Sequence, residues 1–215
     1  MTNQPQRIDY GDCFRRSWDV FMEDFGNFVV VGVLWLVVAT FTCGILAPVA
    51  MAGAYLVAKR RLHGESIKPT EIFDGFNYFL PVFLFSIIVG IAGSALMMLF
   101  TITCVLTPFT PLVPVAIGVF YVFTVPFIVE QDMGFWEAME ASRKLVMADL
   151  GNYLPVGLIM IGLVLVGAMV VWVGQIFVVP YSVLFLVCAF EQVQQQPVEV
   201  FAAEPAPTPE APEGQ

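Results

Sequence analysis

The sequence predicts an all-α, polytopic integral membrane protein, with six helices as three hairpins, amphipathic interfacial helices and a quasi-repeated organisation. The first support is the placement of charge. Residues 25–58, 75–129 and 150–190 contain no Asp, Glu, Lys or Arg, and these stretches are 34, 55 and 41 residues long. One membrane-spanning helix takes about 17–25 apolar residues. Each stretch therefore holds two helices, although the first leaves almost no room for a turn.

The second support is an internal repeat. The segment 17–28 returns 125 positions later as 142–153, with Ser, Met, Asp, Gly and Asn in register. Both copies are typical of an amphipathic helix that ends at Gly-Asn and continues into an apolar stretch, and the segment 75–81 is a weaker third copy. The pattern indicates three units, each a membrane-surface segment followed by two apolar helices.

Composition agrees with a membrane location. The chain is 59% hydrophobic and 13% charged, whereas a soluble domain carries about 25% charged residues. The net charge of −9 does not identify a partner, because residues 191–215 hold five Glu and no base. The total charge therefore reflects that segment as much as the rest of the chain.

We divide the chain into a polar N-terminus (1–8), one membrane domain (9–193) and a disordered, acidic, Pro-rich tail (194–215). Within the membrane domain the predicted elements are an interfacial helix (9–25), a hairpin (28–58), a loop and surface segment (59–78), a hairpin (79–129), an interfacial helix (132–150) and a hairpin (152–190).

The first interfacial helix is predicted from its periodicity. Asp9 is placed to cap it, and Arg15 and Arg16 fall on the face opposite its apolar residues. Apolar residues recur at three- and four-residue steps: Tyr10, Cys13, Phe14, Trp18, Phe21, Met22 and Phe25. A large apolar asymmetry with aromatic residues favours a helix lying in the membrane interface over one packed on another protein element.

The hairpin 28–58 has a short second helix, predicted over 49–58 and ending at three bases, 59–61. Ala50, Ala54 and Ala58 form a stripe of small residues that allows another helix to approach closely. Because this helix is short, we leave open whether the hairpin crosses the bilayer or only dips into it.

The hairpin 79–129 is predicted as helices over 79–100 and 115–129, separated by a turn with three prolines, 107–114. Gly90 and Ser94, with Gly93 beside them, predict a second close helix contact. Pro126 is expected to kink or stiffen the second helix of this pair.

The last unit begins with a helix that Asp132 is placed to cap, with Glu140 and Lys144 paired on its polar face. Its two apolar helices are predicted over 152–172 and 176–190.

Basic residues predict the topology. With three hairpins, every base lies on the side of the two termini, and the opposite turns near Gly44, Pro108 and Gly174 carry no charge. The nine bases are Arg7, Arg15, Arg16, Lys59, Arg60, Arg61, Lys68, Arg143 and Lys144. Bases accumulate on the cytoplasmic side of membrane proteins, so both termini are expected in the cytoplasm.

The sequence offers little for catalysis. The apolar stretches hold no Asp, Glu, Lys, Arg or His, so a proton path or an activated nucleophile is not expected. Four scattered cysteines and one His lack metal-ligand spacing. We predict no catalytic, cofactor-binding or metal residue, no cofactor and no nucleic-acid partner. Cys43 and Cys104, at the far ends of predicted helices, are either small helix residues or a disulfide.

Two groups of polar residues were weighed as sites. Asn27, Asn77 and Asn152 sit at equivalent junctions between surface segment and span, where they either cap helices or face a shared polar vestibule. Capping is the simpler interpretation, because it explains the local spacing by itself. The carboxylates on the charged side are capping or solvated groups, or they converge as the site of a lipid-modifying enzyme: Glu71, Asp74, Glu130 and Asp132.

Several segments resemble a known family. The segments are 14–18 with Phe21 and 25–27, then 71–76, 135–145 and Pro180 in an aromatic-rich last helix. Across residues 9–193 the chain resembles the glycerophosphoryl diester phosphodiesterase membrane-domain family and related prokaryotic membrane proteins. In that family a separate soluble domain carries the phosphodiester chemistry, and we do not expect such a domain within residues 1–215. The resemblance implies a helical membrane module and not the activity.

The predicted function is a non-enzymatic structural or interaction module of the bacterial inner membrane. The expected partners are membrane lipids, and also another membrane protein or a second copy of the chain. The alternatives are a facilitative carrier with a cavity between the repeats, and a lipid-modifying enzyme. A polar cavity that reaches the middle of the bilayer favours the carrier, and a dry interior favours the module.

Overall fold

The computed structural model describes residues 8–103, 110–169 and 173–194, and all regular structure within these ranges is helical, as predicted. Residues 195–215 of the predicted tail, most of the polar N-terminus, Pro108 and Cys104 lie outside the described residues, whereas Gln194 ends the last helix. The elements are α1 (Tyr10–Glu23), α2 (Phe25–Phe41), α3 (Ala47–Leu62), a 3₁₀ helix (Pro69–Tyr78), α4 (Phe79–Ile102), α5 (Leu112–Phe120), α6 (Thr124–Gln131), α7 (Phe135–Ala148), α8 (Leu150–Met169) and α9 (Val173–Gln194).

Several of these helices are long and apolar enough to cross a membrane. In the described part of the chain there are four: 69–102, 112–131, 150–167 and 174–194. The pair α1 and α2, bent by 95° at their junction, gives a fifth if it is counted as one broken span. This is the composition of a multi-pass membrane protein. The count falls short of six because α2 has 17 residues and α3 has 16.

The helix α3 lies at the centre of the protein. Nine of its 16 residues are buried, including the predicted stripe of Ala50, Ala54 and Ala58. The closest backbone approach lies elsewhere on this helix, where Gly53 and Gly75 bring α3 and the 3₁₀ helix into direct contact. A Cβ built on Gly53 would lie 1.7 Å from the carbonyl oxygen of Ile72. Only a residue without a side chain allows the two backbones to meet this closely.

The turn between α2 and α3 is closed by backbone geometry. Gly44 has φ of +83° and its N–H donates to the Ala39 carbonyl over 2.7 Å, which satisfies one of the last carbonyls of α2. The Trp35 indole N–H donates to the Ala47 carbonyl over 3.2 Å and ties the two helices together beyond the turn. Cys43 in this turn is an exposed free thiol. Its pairing with Cys104 stays a prediction.

Two predicted helices have different bounds. The helix predicted over 49–58 runs over Ala47–Leu62, because Lys59, Arg60 and Arg61 continue it instead of ending it. The helix predicted over 115–129 is divided into α5 and α6 by a break at 121–123. The break lies about one turn before Pro126, where the proline ring clashes with a helical carbonyl.

Of the two Asp residues predicted to cap interfacial helices, Asp9 does so and Asp132 does not. Asp9 caps α1, since its Oδ1 accepts a hydrogen bond from the Asp12 N–H at 3.0 Å. The prediction for Asp132 was wrong: this residue ends α6 in a left-handed conformation with φ of +50°, and Gly134 precedes the first residue of α7. The helix predicted over 132–150 is correspondingly shorter, from Phe135 to Ala148.

The asparagines do not cap the helices either. Asn27 and Asn152 lie in the first turns of α2 and α8, because each helix begins two residues before its Asn, at Phe25 and Leu150. In the second copy the cap is Asp149, whose Oδ1 accepts from the Asn152 N–H at 3.2 Å. The Asp of the repeat, two residues before its Gly, is therefore the capping position there, which agrees with the preference for a short acceptor side chain.

The predicted contact through Gly90 and Ser94 was wrong. Both residues are exposed, and a Cβ on Gly90 would meet no atom within 4 Å. Only Gly93 touches another helix, with its Cβ position 3.0 Å from Ile117 Cδ1. The reason is that α4 lies at the outside of the protein, with Val82 and Gly93 as the buried residues among its 24.

Candidate functional site

A cavity of about 560 Å³ lies between α3, α5, α6, α8 and α9. Its lining is almost entirely apolar. The lining residues are Met51, Tyr55, Pro111, Pro114, Val115, Gly118, Val122, Val125, Met160, Ile161, Val164, Leu165, Val183 and Leu186. The volume is within the range of about 300–1,000 Å³ that small-molecule sites occupy.

One wall of the cavity is a single face of the broken helix α5–α6. The residues that line it recur at three- and four-residue steps from Pro111 to Val125, as one face of a helix does. At about 1.5 Å of rise per residue this face is roughly 20 Å long. The cavity is therefore elongated along the helices, a shape suited to a chain-like ligand.

The opposite wall is α8, which a glycine brings close to α5. A Cβ on Gly157 would lie 2.6 Å from Val119 Cα, so α8 and α5 touch there through their backbones. Further along α8, Val164 and Leu165 line the cavity while 45% and 61% exposed. The cavity is therefore accessible at the surface near these two residues, about 20 Å along α8 from its start at Leu150.

Tyr55 supplies the polar atom at the inner end of the cavity. Its side chain is 1% exposed, and its hydroxyl donates a hydrogen bond of 2.6 Å to Glu130 Oε1. The other oxygen of Glu130 is 2.9 Å from Lys59 Nζ and accepts from Gln194 Nε2 at 3.0 Å. The Tyr55 hydroxyl is thus already engaged, and the cavity presents hydrocarbon to a ligand.

Beyond Tyr55, three consecutive bases at the end of α3 pair with three different elements. Successive helix residues point about 100° apart, so neighbouring side chains reach in different directions. Lys59 pairs with Glu130 of α6. Arg60 pairs with two acids of the 3₁₀ helix, Glu71 at 2.9 Å and Asp74 at 3.0 Å. Arg61 pairs with two acids at the α1–α2 junction, Glu23 at 3.1 Å and Asp24 at 3.3 Å.

These ion pairs account for three of the four predicted carboxylates. The hydrogen bond that Arg60 donates to Glu71, with a further contribution from Asp74, raises the pKa of Arg60 above its usual value. Glu71 and Asp74 share Arg60, whereas Glu130 is held by Lys59. Asp132 is exposed at the end of α6. The carboxylates are therefore divided between different bases, an arrangement suited to joining helices.

The predicted polar vestibule of three asparagines does not form among the described residues. Asn27 donates through Nδ2 to Asp24 Oδ1 at 2.8 Å, and Asn77 is exposed on the 3₁₀ helix. Asn152 is buried, and its Oδ1 accepts from the Ile8 N–H at 2.9 Å. The amides of Asn27 and Asn152 thus make separate contacts and do not face a common space.

Sequence reasoning missed the cavity and Tyr55. The cavity is formed by side chains from five helices that are far apart in sequence, and no local pattern places them together. A weak signal existed for its outer wall, because Gly157 and Gly118 are small residues in apolar helices and mark close approaches.

The comparisons with known proteins give no further guide: no family model matches the chain, and no curated protein or solved structure matches it. The resemblance to the phosphodiesterase membrane-domain family stays a prediction.

Proposed function

We propose that this protein is a non-enzymatic membrane module that holds the hydrocarbon chain of a membrane lipid in the cavity between α5, α8 and α9. The observation that supports this most is the apolar cavity, whose lining residues Val164 and Leu165 are exposed on a helix apolar enough to cross a membrane. The surrounding bilayer supplies acyl and isoprenoid chains at high concentration to such an opening. The side chains that line an empty cavity lack dispersion contacts on one side, and a bound hydrocarbon chain restores those contacts.

The dry lining also separates this proposal from its rivals. A carrier for polar solutes needs hydrogen-bonding groups at the depth of its site, and the polar group lining this cavity, the Tyr55 hydroxyl, is occupied by Glu130. A lipid-modifying enzyme needs an activated nucleophile or a metal. The lining supplies neither a base nor a carboxylate.

The proposed placement is the bacterial inner membrane, with three hairpins and both termini in the cytoplasm. It is supported by the ion pairs, which gather the end of α3, the end of α6, the α1–α2 junction and the 3₁₀ helix at one end of the bundle. Arg16 and Glu191, 3.4 Å apart, add α1 and the end of α9 to the same group. The 95° bend after α1 suits a helix in the interface followed by one that crosses the bilayer.

An internal repeat is part of the proposal. The helices α1 and α7 both have 14 residues and begin 125 positions apart, at Tyr10 and Phe135. The helices that follow them, α2 and α8, begin at Phe25 and Leu150, again 125 positions apart. Because the helices begin at equivalent positions of the two sequence copies, they support a unit that occurs twice, consisting of a surface helix followed by a membrane-spanning helix.

Native mass spectrometry of the purified protein tests the proposal. We expect the wild-type protein to retain one lipid through stringent detergent washing. Val125→Phe places a ring in the cavity and is expected to lower lipid retention at least fivefold. Val37→Phe is the matched control, since Val37 is 44% exposed on α2 and does not line the cavity.

Two outcomes contradict the proposal. One is a wild-type protein that retains no lipid under washing conditions in which it stays folded, as judged by circular dichroism. The other is equal lipid retention by the Val125→Phe and Val37→Phe proteins, which would place the retained lipid on the outer surface of the helices.

A further inference from the structure

The helix α1 packs along α9 in a regular antiparallel register. The Asp9 N–H donates to Gln192 Oε1 at 2.8 Å at one end of the contact. Further along, Arg16 pairs with Glu191, and the rings of Phe14 and Phe185 are 4.8 Å apart. At the other end Trp18 meets Tyr181 edge to face, with ring centroids 6.0 Å apart. Contacts on both sides thus fix the middle of the interface.

Two cysteines face each other in the middle of this interface. The Sγ atoms of Cys13 and Cys188 are 2.7 Å apart, although 175 positions separate the residues in sequence. Both side chains are 0% exposed. Among the described residues no group of three or more His, Cys, Asp or Glu is placed to hold a metal ion, so the two thiols form an isolated pair.

We propose that Cys13 and Cys188 form a reversible disulfide that joins α1 covalently to α9. The two thiols give up two protons and two electrons to a two-electron oxidant, either a low-molecular-weight disulfide or an azo compound. With a disulfide acceptor, one thiolate attacks an acceptor sulfur and releases one acceptor thiol. The second thiolate then attacks the protein sulfur of this mixed disulfide, forms the Sγ–Sγ bond and releases the second acceptor thiol.

The proposed location of α1 makes a reversible disulfide the expected form of this bond. The proposed topology places α1 on the cytoplasmic side, where thiols are held reduced and disulfides form transiently. The amphipathic α1 would then rest on α9 through packing in the reduced state and be locked there on oxidation. Its exposed aromatic residues, Phe14 and Trp18, would be fixed at the membrane interface by the same bond.

Thiol counting tests the proposal in a chain with Cys43→Ser and Cys104→Ser, which leaves Cys13 and Cys188. Diamide, a small azo oxidant, is applied to isolated membranes and, separately, to growing cells, in which new chains meet it before α1 packs. The protein is then denatured and treated with a polyethylene-glycol maleimide. We expect neither cysteine to be labelled after oxidation and both to be labelled after treatment with dithiothreitol.

A shifted pair provides the matched control. Cys13→Ser combined with Ser17→Cys moves the thiol one turn along the same buried face of α1, and we expect this thiol and Cys188 to stay labelled after diamide. A peptide containing Cys13 linked to Cys188 is expected in the mass spectrum of the oxidised protein. Full labelling of both native cysteines after both treatments overturns the proposal, and so does equally efficient pairing in the shifted variant.

Discussion

The contact between α3 and the 3₁₀ helix gives the sharpest stability prediction. In Gly53→Ala the new Cβ would lie 1.7 Å from the Ile72 carbonyl oxygen and 2.6 Å from its carbonyl carbon. Carbon and oxygen atoms that are not bonded approach to about 3.3 Å at closest, so the two backbones must separate by roughly 1.5 Å. The obstacle is backbone and cannot turn away as a side chain would.

The separation opens a gap along a buried surface. Ile72 is 1% exposed and Val49 is 0% exposed, and both pack at this contact. Loosening such a site resembles a large-to-small core substitution, which costs about 2–5 kcal/mol. The better helix propensity of Ala returns about 1 kcal/mol. We expect a net loss near 2–3 kcal/mol, or a Tm lower by roughly 5–10 °C for a chain of this size.

Thermal unfolding in detergent, followed by tryptophan fluorescence, measures this loss. Gly90→Ala is the matched control, because Gly90 lies inside α4 with nothing within 4 Å of its Cβ position. The control is expected to be neutral or slightly more stable, by up to about 1 kcal/mol. A Gly53→Ala protein with the Tm of the wild type would refute the close packing of α3 on the 3₁₀ helix.

Three further predictions concern the charged end of the bundle. Glu130→Ala leaves the buried Tyr55 hydroxyl without its acceptor and is expected to cost about 1–3 kcal/mol in thermal unfolding. Glu130→Gln keeps an acceptor oxygen and should cost clearly less; equal losses would contradict this. The hydrogen bond that Arg143 donates lowers the pKa of Glu140 in the folded protein. The stabilisation from this ion pair is therefore present above the pKa that Glu140 has in the unfolded chain, and it is lost as pH falls through the pKa that Glu140 has in the folded protein. An NMR titration should show this low pKa, Arg143→Gln should raise it, and an unchanged value would exclude the ion pair as its cause. Reporter fusions at Arg61, Asp132 and Glu213 are all expected to score as cytoplasmic. One periplasmic result would contradict the proposed topology.

The elements of the fold were largely predictable because hydrophobic runs and their interruptions are local properties of the chain. The bounds of α1 and α7 lie within a few residues of the predicted interfacial helices, since amphipathic periodicity and a preceding cap act within one helix. The end of α3 was not predictable in the same way. Its three bases stay helical because acids on three other elements pair with them.

The candidate site was beyond sequence reasoning for a similar reason. A stripe of small residues shows that a helix can be approached closely, but it does not show which face meets a neighbour. Ala50 and Gly93 are buried against other helices, whereas Gly90 and Ser94 lie on the outer face of α4. The cavity joins residues spread from Met51 to Leu186, and Cys13 and Cys188 are 175 positions apart, so no local pattern encodes either feature.

Photolabelling by a phospholipid with a diazirine on its acyl chain tests the central claim most directly. The protein is reconstituted with the probe, diluted into an excess of unlabelled lipid, irradiated after a short delay and digested for mass spectrometry. We predict that label stays on peptides containing Val122, Val125 or Met160, which line the cavity, after it has disappeared from Ile91, 65% exposed on α4. Equal loss of label from both sets, or label on Ile91 alone, would show that no lipid chain is held in the cavity.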